Sequence, residues 1–110
     1  MATWCTNCRQ QLGNVRSAAA QIGSDVVFVA LSVETTLEPA ALAAYADSHE
    51  FPFTFAVMTP DLLRALAASF GQSVATPPAT PHFIIYPDGS ASELLTGFSS
   101  PEATAAATQP

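Results

Sequence analysis

Three segments of the chain carry apolar residues at the three- and four-residue spacing of a helix. The predicted helices are Arg9–Ile22, Pro39–His49 and the run that opens at Thr59 and closes at Gly71. Glycine follows the first and the third helix, as is common at helix ends because it adopts positive φ without strain. Proline near the start of the second and third suits a first helical turn. We therefore expect three amphipathic helices.

Between these helices lie short segments rich in β-branched and aromatic residues. Val26–Val33 is continuously apolar, which predicts a strand covered on both faces, as in a parallel sheet. Phe51–Val57 is interrupted by Pro52, which favours an edge strand. Phe83–Tyr86 and Ser92–Thr96 flank a turn sequence and predict a β-hairpin. Helices that alternate with strands and end in a hairpin predict an α/β layered domain.

The segments outside these elements are rich in proline, alanine and threonine. Residues 75–81 contain three prolines, which exclude a helix and predict a loop. The Ala/Thr-rich tail has no large apolar residue after Phe98, so it has little to bury and is expected to fray or stay disordered. We therefore assign residues 1–98 to one domain and residues 99–110 to a tail.

Composition restricts the function classes. A chain of 110 residues that is 49% apolar fits one compact domain. The formal charge of −6, from nine acidic residues and three arginines, argues against a nucleic-acid partner. No apolar run approaches the roughly 18 to 20 residues that cross a bilayer. The first residues have neither a basic start nor an apolar core, so they do not form a secretory signal.

Both cysteines of the chain, Cys5 and Cys8, lie near its start with two residues between them. When the second cysteine is in the first turn of a helix, the two sulfurs come within bonding distance. The helix N-terminus then stabilises the Cys5 thiolate, the reactive form. Arg9 could add positive charge, and Trp4 could shield the sulfurs and offer an apolar surface to a partner. This pattern predicts a redox-active pair.

Other readings of the two cysteines are weaker. A Cys-X-X-Cys motif can be half of a zinc site, but the chain has no second cysteine pair, and His49 and His82 lack motif spacing. An inert structural disulfide is also possible, although so short a loop constrains the unfolded chain little. We assign no chemistry to either histidine, no metal and no cofactor.

Several stretches resemble the thioredoxin-like family, and within it the TlpA/ResA-type disulfide reductases. The matching stretches are Ala2–Arg9, Leu31–Glu34, Phe70–Gly71 and Thr80–Gly89. The resemblance implies a thioredoxin-like fold with a mixed sheet flanked by helices, and a thiol:disulfide oxidoreductase with Cys5 and Cys8 as catalytic residues. It also implies a protein thiol or disulfide as substrate, and relatives of this type commonly work outside the cytoplasm.

The same resemblance implies a partner-binding role for Thr80 and Pro81. Pro81 would follow a cis peptide bond and pack against the cysteine pair, since proline is nearly the only residue that tolerates that geometry. Thr80 would offer main-chain hydrogen bonds to an extended partner polypeptide.

The chain departs from the family pattern in two places. Reductases of this type often carry Glu three residues after the second cysteine and Pro two further on, where this chain has Gln11 and Gly13. Gln11 cannot act as a carboxylate base. Only four residues precede Cys5, so we expect a sheet lacking the strand that normally precedes the active-site helix, and a fragment or a misplaced start codon.

Two rival functions follow from the same sequence. A Sco-like copper-binding module shares the fold but uses a cysteine spacing one residue longer, with a downstream histidine. A noncatalytic thioredoxin-like interaction domain is favoured by the missing strand and the absent Glu. Copper titration distinguishes a copper-binding module from a reductase. An insulin-reduction assay distinguishes a noncatalytic interaction domain from a reductase.

Overall fold

The computed structural model describes residues 1–108, which form four α-helices and a short parallel sheet. The helices are α1 (Thr6–Ile22), α2 (Pro39–Ser48), α3 (Pro60–Phe70) and α4 (Pro101–Ala107), and the strands are β1 (Val29–Ser32) and β2 (Thr54–Val57). The three helices expected from apolar spacing are confirmed. Within these residues no helix is both long enough and apolar enough to cross a membrane.

Local sequence sets the ends of the helices. Thr59 caps α3, because its hydroxyl accepts the Leu62 main-chain N–H at 3.1 Å, and Pro60 follows in the first turn. Gly71 ends α3 at φ +95°, and Gly23 ends α1 at φ +76°. These positive φ values explain why glycine follows both helices.

The sheet pairs β1 with β2 in parallel, with Val29 beside Thr54 and Ser32 beside Val57. Parallel pairing is as predicted, but coverage of β1 on both faces is wrong. Ala30 and Ser32 are buried, whereas Val29 is exposed and Val27, before the strand, is 80% exposed. The strand is also shorter than the apolar run, because only its second half has a neighbouring strand to pair with.

The first residue adds to the other edge of β1. The Met1 amine donates to the Leu31 carbonyl at 2.7 Å, and the Val33 N–H donates to the Met1 carbonyl at 2.9 Å. The Met1 amine is largely buried, which lowers its pKa to about 6, while the nearby Glu34 carboxylate acts in the opposite direction. This contact fixes the segment that leads to α1.

The predicted hairpin is present as a pair of antiparallel bridges, His82 with Leu95 and Ile85 with Ala91. At its turn, Asp88 Oδ1 accepts both the main-chain N–H and the hydroxyl of Ser90, at 2.9 and 2.6 Å. These hydrogen bonds hold the pKa of Asp88 below its usual value. These bridges stand apart from the two-stranded parallel sheet of β1 and β2, so within the described residues the sheet is parallel and not mixed as expected.

The C-terminal segment differs from its prediction. Instead of a disordered tail, residues 101–107 form α4, which packs against α1. Its less exposed residues lie at helical spacing: Pro101, Thr104, Ala105 and Thr108. Small side chains suffice here because α4 buries a narrow stripe against one neighbour. Of the predicted tail, residues 109 and 110 lie outside the described residues.

The proline-rich loop also contains more structure than expected. Prolines 77 and 78 open a single 3₁₀ turn, Pro77–Ala79, although they exclude an α-helix. Proline is tolerated in such a first turn because its missing N–H would have no partner there. This turn lies against α1 and brings the loop to the cysteines.

Candidate active site

Cys5 and Cys8 lie at the N-terminus of α1 and are joined as a disulfide, with 5.2 Å between their Cα atoms. Cys5 is the N-cap residue and Cys8 is in the first turn, so the helix itself sets their separation. Each cysteine is only 3% exposed, and the pair forms a small apolar cluster with Ala2. The sequence prediction placed the pair in this position.

The main chain of α1 favours negative charge on Cys5. The Cys8 N–H donates to Cys5 Sγ at 3.1 Å, so the sulfur occupies the position that a serine or aspartate oxygen takes in an ordinary helix cap. In the dithiol form, this hydrogen bond and the positive end of the helix dipole stabilise the thiolate.

Cys8 faces the proline-rich loop instead. Its Sγ lies 3.2 Å from the Pro77 carbonyl oxygen, and the neighbouring Asn7 side chain donates to the Pro78 carbonyl at 3.1 Å. In the dithiol form the Cys8 thiol can donate to the Pro77 oxygen, which favours the protonated state. The expected proximity of this loop to the cysteines is confirmed, but the contact runs through Pro77.

The cis geometry expected at Pro81 is wrong: among residues 1–108 no peptide bond is cis. The chain instead turns at Thr80, which adopts the left-handed conformation, with φ 49° and ψ 53°. A left-handed residue after the 3₁₀ turn redirects the backbone without a cis bond. Pro81 is partly buried at the start of the hairpin.

Thr80 uses both of its main-chain groups within the chain. Its N–H donates to the Pro77 carbonyl at 2.8 Å, and its carbonyl oxygen lies 2.7 Å from His82 Nδ1. The residue is 6% exposed, and its buried hydroxyl has no hydrogen-bond partner among the described residues. Thr80 is thus a fixed point of the loop in this structure.

Trp4 is 64% exposed and directly precedes Cys5. The preceding residue, Thr3, is anchored by Glu34: the Thr3 main-chain N–H donates to one carboxylate oxygen and its hydroxyl to the other. Ser32 supports this carboxylate through its own hydroxyl. The anchor leaves the indole ring at the surface beside the cysteine pair.

Gln11 has a structural function here. It is buried one turn after Cys8, and its Oε1 accepts the Ser99 main-chain N–H at 2.9 Å and the Asn14 side-chain amide at 3.3 Å. The amide thereby ties α1 to the segment that leads into α4. The sequence showed the departure but not this use of the side chain.

Sequence reasoning missed His82, Ser99 and Pro77 as neighbours of the site. His82 Nε2 lies 3.2 Å from the Ser99 hydroxyl, so its ring joins the loop to the segment held by Gln11. Pro77 acts through a main-chain carbonyl, which no residue pattern reveals. Within the described chain, no group of three or more His, Cys, Asp or Glu residues is placed to hold a metal ion.

A search of solved structures found a likeness over almost the whole chain. The matching chain is described as a thiol:disulfide interchange protein, a thioredoxin family protein from Chlorobium tepidum TLS. The alignment covers 97% of this chain and 72% of that chain, with a TM-score of 0.75 and 20% sequence identity. No protein-family model and no curated protein matches the chain. The likeness shows a thioredoxin-like fold.

Proposed function

We propose that this protein is a thiol:disulfide oxidoreductase that exchanges disulfides with a partner protein through Cys5 and Cys8. The observation that carries the proposal is the disulfide at the N-terminus of α1, with the Cys8 N–H directed at Cys5 Sγ. The thioredoxin-like fold supports it. Assignment to the TlpA/ResA-type reductases is part of the proposal and is supported by the order of the Thr80-Pro81 and Asp88-Gly89 motifs.

The reaction starts from the dithiol form. The Cys5 thiolate attacks one sulfur of a partner disulfide, forms a mixed disulfide and releases the other partner sulfur as a thiolate. Cys8 then loses its proton and attacks Cys5 Sγ, which breaks the mixed disulfide and releases the second partner thiolate. Two electrons pass from the cysteine pair to the partner. The protons that the pair gives up balance those that the partner thiolates take up.

The two cysteines have different surroundings, and these support the division of roles. Cys5 accepts a main-chain N–H, which favours its thiolate, whereas Cys8 faces the Pro77 carbonyl, which favours its thiol. Because Gln11 cannot remove a proton, we assign proton transfer from Cys8 to water and the departing partner thiolate. No cofactor is needed for this chemistry.

Partner binding is proposed at Trp4, Thr80 and Pro81. The exposed indole of Trp4 offers an apolar contact next to the attacking sulfur. A partner strand that pairs with Thr80 has to replace the internal bonds that its N–H and carbonyl now make. We therefore expect the loop to move when a partner binds.

A trapping experiment tests the proposal. In a Cys8→Ser variant the mixed disulfide cannot be resolved, so incubation with insulin should give a covalent adduct visible by nonreducing electrophoresis. The same variant should fail to turn over in an insulin-reduction assay that the parent chain supports. A Cys5→Ser variant is the control and should give less adduct, since the Cys8 thiol faces the Pro77 carbonyl, which favours its protonated form.

The absence of any adduct with Cys8→Ser, when the variant is folded and Cys5 is reduced, would contradict the exchange mechanism. Equal adduct yields from both single-cysteine variants would contradict the assigned roles. Mass spectrometry of the adduct identifies which cysteine carries the partner.

A further inference from the structure

His82 contacts two separate segments through its two ring nitrogens. Nδ1 lies 2.7 Å from the Thr80 carbonyl oxygen, and Nε2 lies 3.2 Å from the Ser99 hydroxyl. A carbonyl oxygen only accepts hydrogen bonds, so Nδ1 carries the proton in the first contact. The main chain of His82 is itself fixed by reciprocal hydrogen bonds with Leu95, at 2.9 and 2.8 Å. The ring is therefore a rigid link between the loop and the start of α4.

The segment on the far side of His82 is anchored to α1. Ser99 donates its main-chain N–H to Gln11, and Gly97 donates its own to the Ala79 carbonyl at 2.7 Å. Gly97 has φ +85°, a conformation that favours glycine. Two hydrogen bonds thus fix this segment, one to the helix that carries the cysteines and one to the loop that covers Cys8.

The loop side of the link reaches the sulfur. The Pro77 carbonyl oxygen accepts the Thr80 N–H at 2.8 Å and is also the group that faces Cys8 Sγ. Any displacement of Thr80 therefore displaces the carbonyl that covers Cys8. The contacts form a closed ring that begins and ends on α1. Its members are Cys8, Pro77, Thr80, His82, Ser99 and Gln11.

We propose that His82 is a positioning residue for the exchange site, which keeps the Pro77 carbonyl against Cys8 by holding Thr80 and Ser99 in place. The consequence is that Cys8 stays covered and protonated until Cys5 has formed its mixed disulfide. This role rests on the proposed function, in which Cys8 is the resolving thiol. Its chemical basis is independent of any partner, because a hydrogen bond donated by a thiol favours the protonated form and burial limits its reactivity.

The test measures the reactivity of each cysteine separately. In a Cys5→Ser background, the rate of Cys8 alkylation by iodoacetamide should rise about three- to tenfold when His82→Ala is added, as expected for the loss of one or two hydrogen bonds. In a Cys8→Ser background, the rate of Cys5 alkylation should change less than about twofold. A residue that merely stabilised the fold would move both rates together.

Partial variants separate the two hydrogen bonds of the His82 imidazole. His82→Asn keeps an amide donor near the position of Nδ1 but loses the contact with Ser99, and Ser99→Ala loses the same contact from the other side. Both should raise Cys8 reactivity by the same smaller factor, about twofold. Combining Ser99→Ala with His82→Asn should add nothing further, since both remove one contact.

His49→Ala is the matched control, because His49 is the other histidine of the chain and packs on Tyr45 and Phe51 in a separate aromatic cluster. It should lower stability without raising Cys8 reactivity. An unchanged Cys8 rate in folded His82→Ala, or an equal rise in His49→Ala, overturns the proposal. If His82→Ala does not fold, unchanged rates in both His82→Asn and Ser99→Ala overturn it.

The alkylation readout distinguishes this proposal from the proposed function. If the parent chain fails to reduce insulin but Cys8 alkylation speeds up in the His82→Ala variant as expected, the exchange function alone is contradicted. Normal insulin reduction with no Cys8 response would contradict the positioning role alone.

Discussion

At the scale of single residues, ordinary helix capping sets the surroundings of the disulfide. Cys5 caps α1 with its sulfur, so the group that begins the helix is also the proposed nucleophile. Cys8 is held one turn later against a main-chain carbonyl. One helical turn therefore gives two chemically identical side chains different surroundings, through one donor and one acceptor of the backbone.

Trp4 provides a prediction at this scale. Because its side chain is mostly exposed, Trp4→Ala should change the free energy of unfolding little, by about 0.5 kcal/mol or less. It should lower kcat/KM for insulin reduction about tenfold, as expected when an exposed aromatic contact to a partner is lost. Reduction of a small linear disulfide such as hydroxyethyl disulfide should change much less, since so small a substrate gains little from contact with the indole.

Val27→Ala is the control for Trp4→Ala. Val27 is also highly exposed, but it lies beside the C-terminal end of α1, in a cleft that includes Gly23. Equal losses in both variants, or a loss of small-disulfide reduction in Trp4→Ala, would argue against a partner contact at Trp4.

At the scale of elements, α4 completes one face of the molecule. It is only seven residues long, so an isolated peptide of this sequence would not be stably helical. Packing against α1 and the cap at its start stabilise it instead. Ser100 accepts the Ala103 N–H at 3.0 Å, and Pro101 follows in the first turn. The helix thus depends on tertiary contact more than on its own composition.

The cap gives a second prediction. Ser100→Ala removes the hydroxyl that accepts the Ala103 N–H and should lower the free energy of unfolding by about 1 kcal/mol, measured by urea denaturation. Ser100→Asp retains an acceptor at a helix N-terminus and should match the parent chain or exceed it slightly. If Ser100→Ala were as stable as Ser100→Asp, α4 would not be docked in solution.

At the scale of the whole molecule, the start of the chain is tied to its centre. The Met1 amine donates to the carbonyl of Leu31 in β1, and Met1 packs against both apolar clusters, the one at the cysteines and the one around Leu12 and Phe51. The approach to α1 is thereby fixed between β1 and the rest of the core. A buried amine makes this arrangement sensitive to pH.

The pH dependence can be predicted with its sign. Folding lowers the pKa of the Met1 amine from 8.0 to about 6, so the folded state disfavours the charged form. Unfolding then takes up a proton between these values, and the free energy of unfolding should rise by up to about 2 to 3 kcal/mol as pH increases from about 6 to 8. Urea titrations at several pH values, on protein whose intact mass shows Met1 retained, measure this change.

N-terminal acetylation is the control, since it removes the titrating amine while keeping a main-chain N–H. The acetylated protein should lose most of the increase between pH 6 and 8. If the unmodified chain had the same stability at both pH values, the amine would not be buried in solution.

The sequence by itself determined α1, α2 and α3, the parallel pairing of β1 with β2 and the position of the cysteine pair. Each of these depends on a local signal: apolar spacing, capping residues, and two cysteines in one helical turn. The signals for α3 illustrate this, because Thr59, Pro60 and Gly71 mark both of its ends. Such local signals predict the folded structure correctly when tertiary contacts only bury the apolar face that the residue spacing already defines.

Tertiary structure decided the docking of α4 against α1, the uneven coverage of β1 and the contact of His82 with Ser99, although the Ser100 cap of α4 is a local signal. These features depend on residues far apart in sequence: Ser99 meets Gln11 across 88 positions, and Cys8 meets Pro77 across 69. The free energy of such contacts comes from burial and hydrogen bonds that form only when distant segments meet, so no local pattern encodes them. The sequence placed the two sulfurs, and the fold supplied the Pro77 carbonyl beside Cys8 and the contacts of His82 and Gln11 with Ser99.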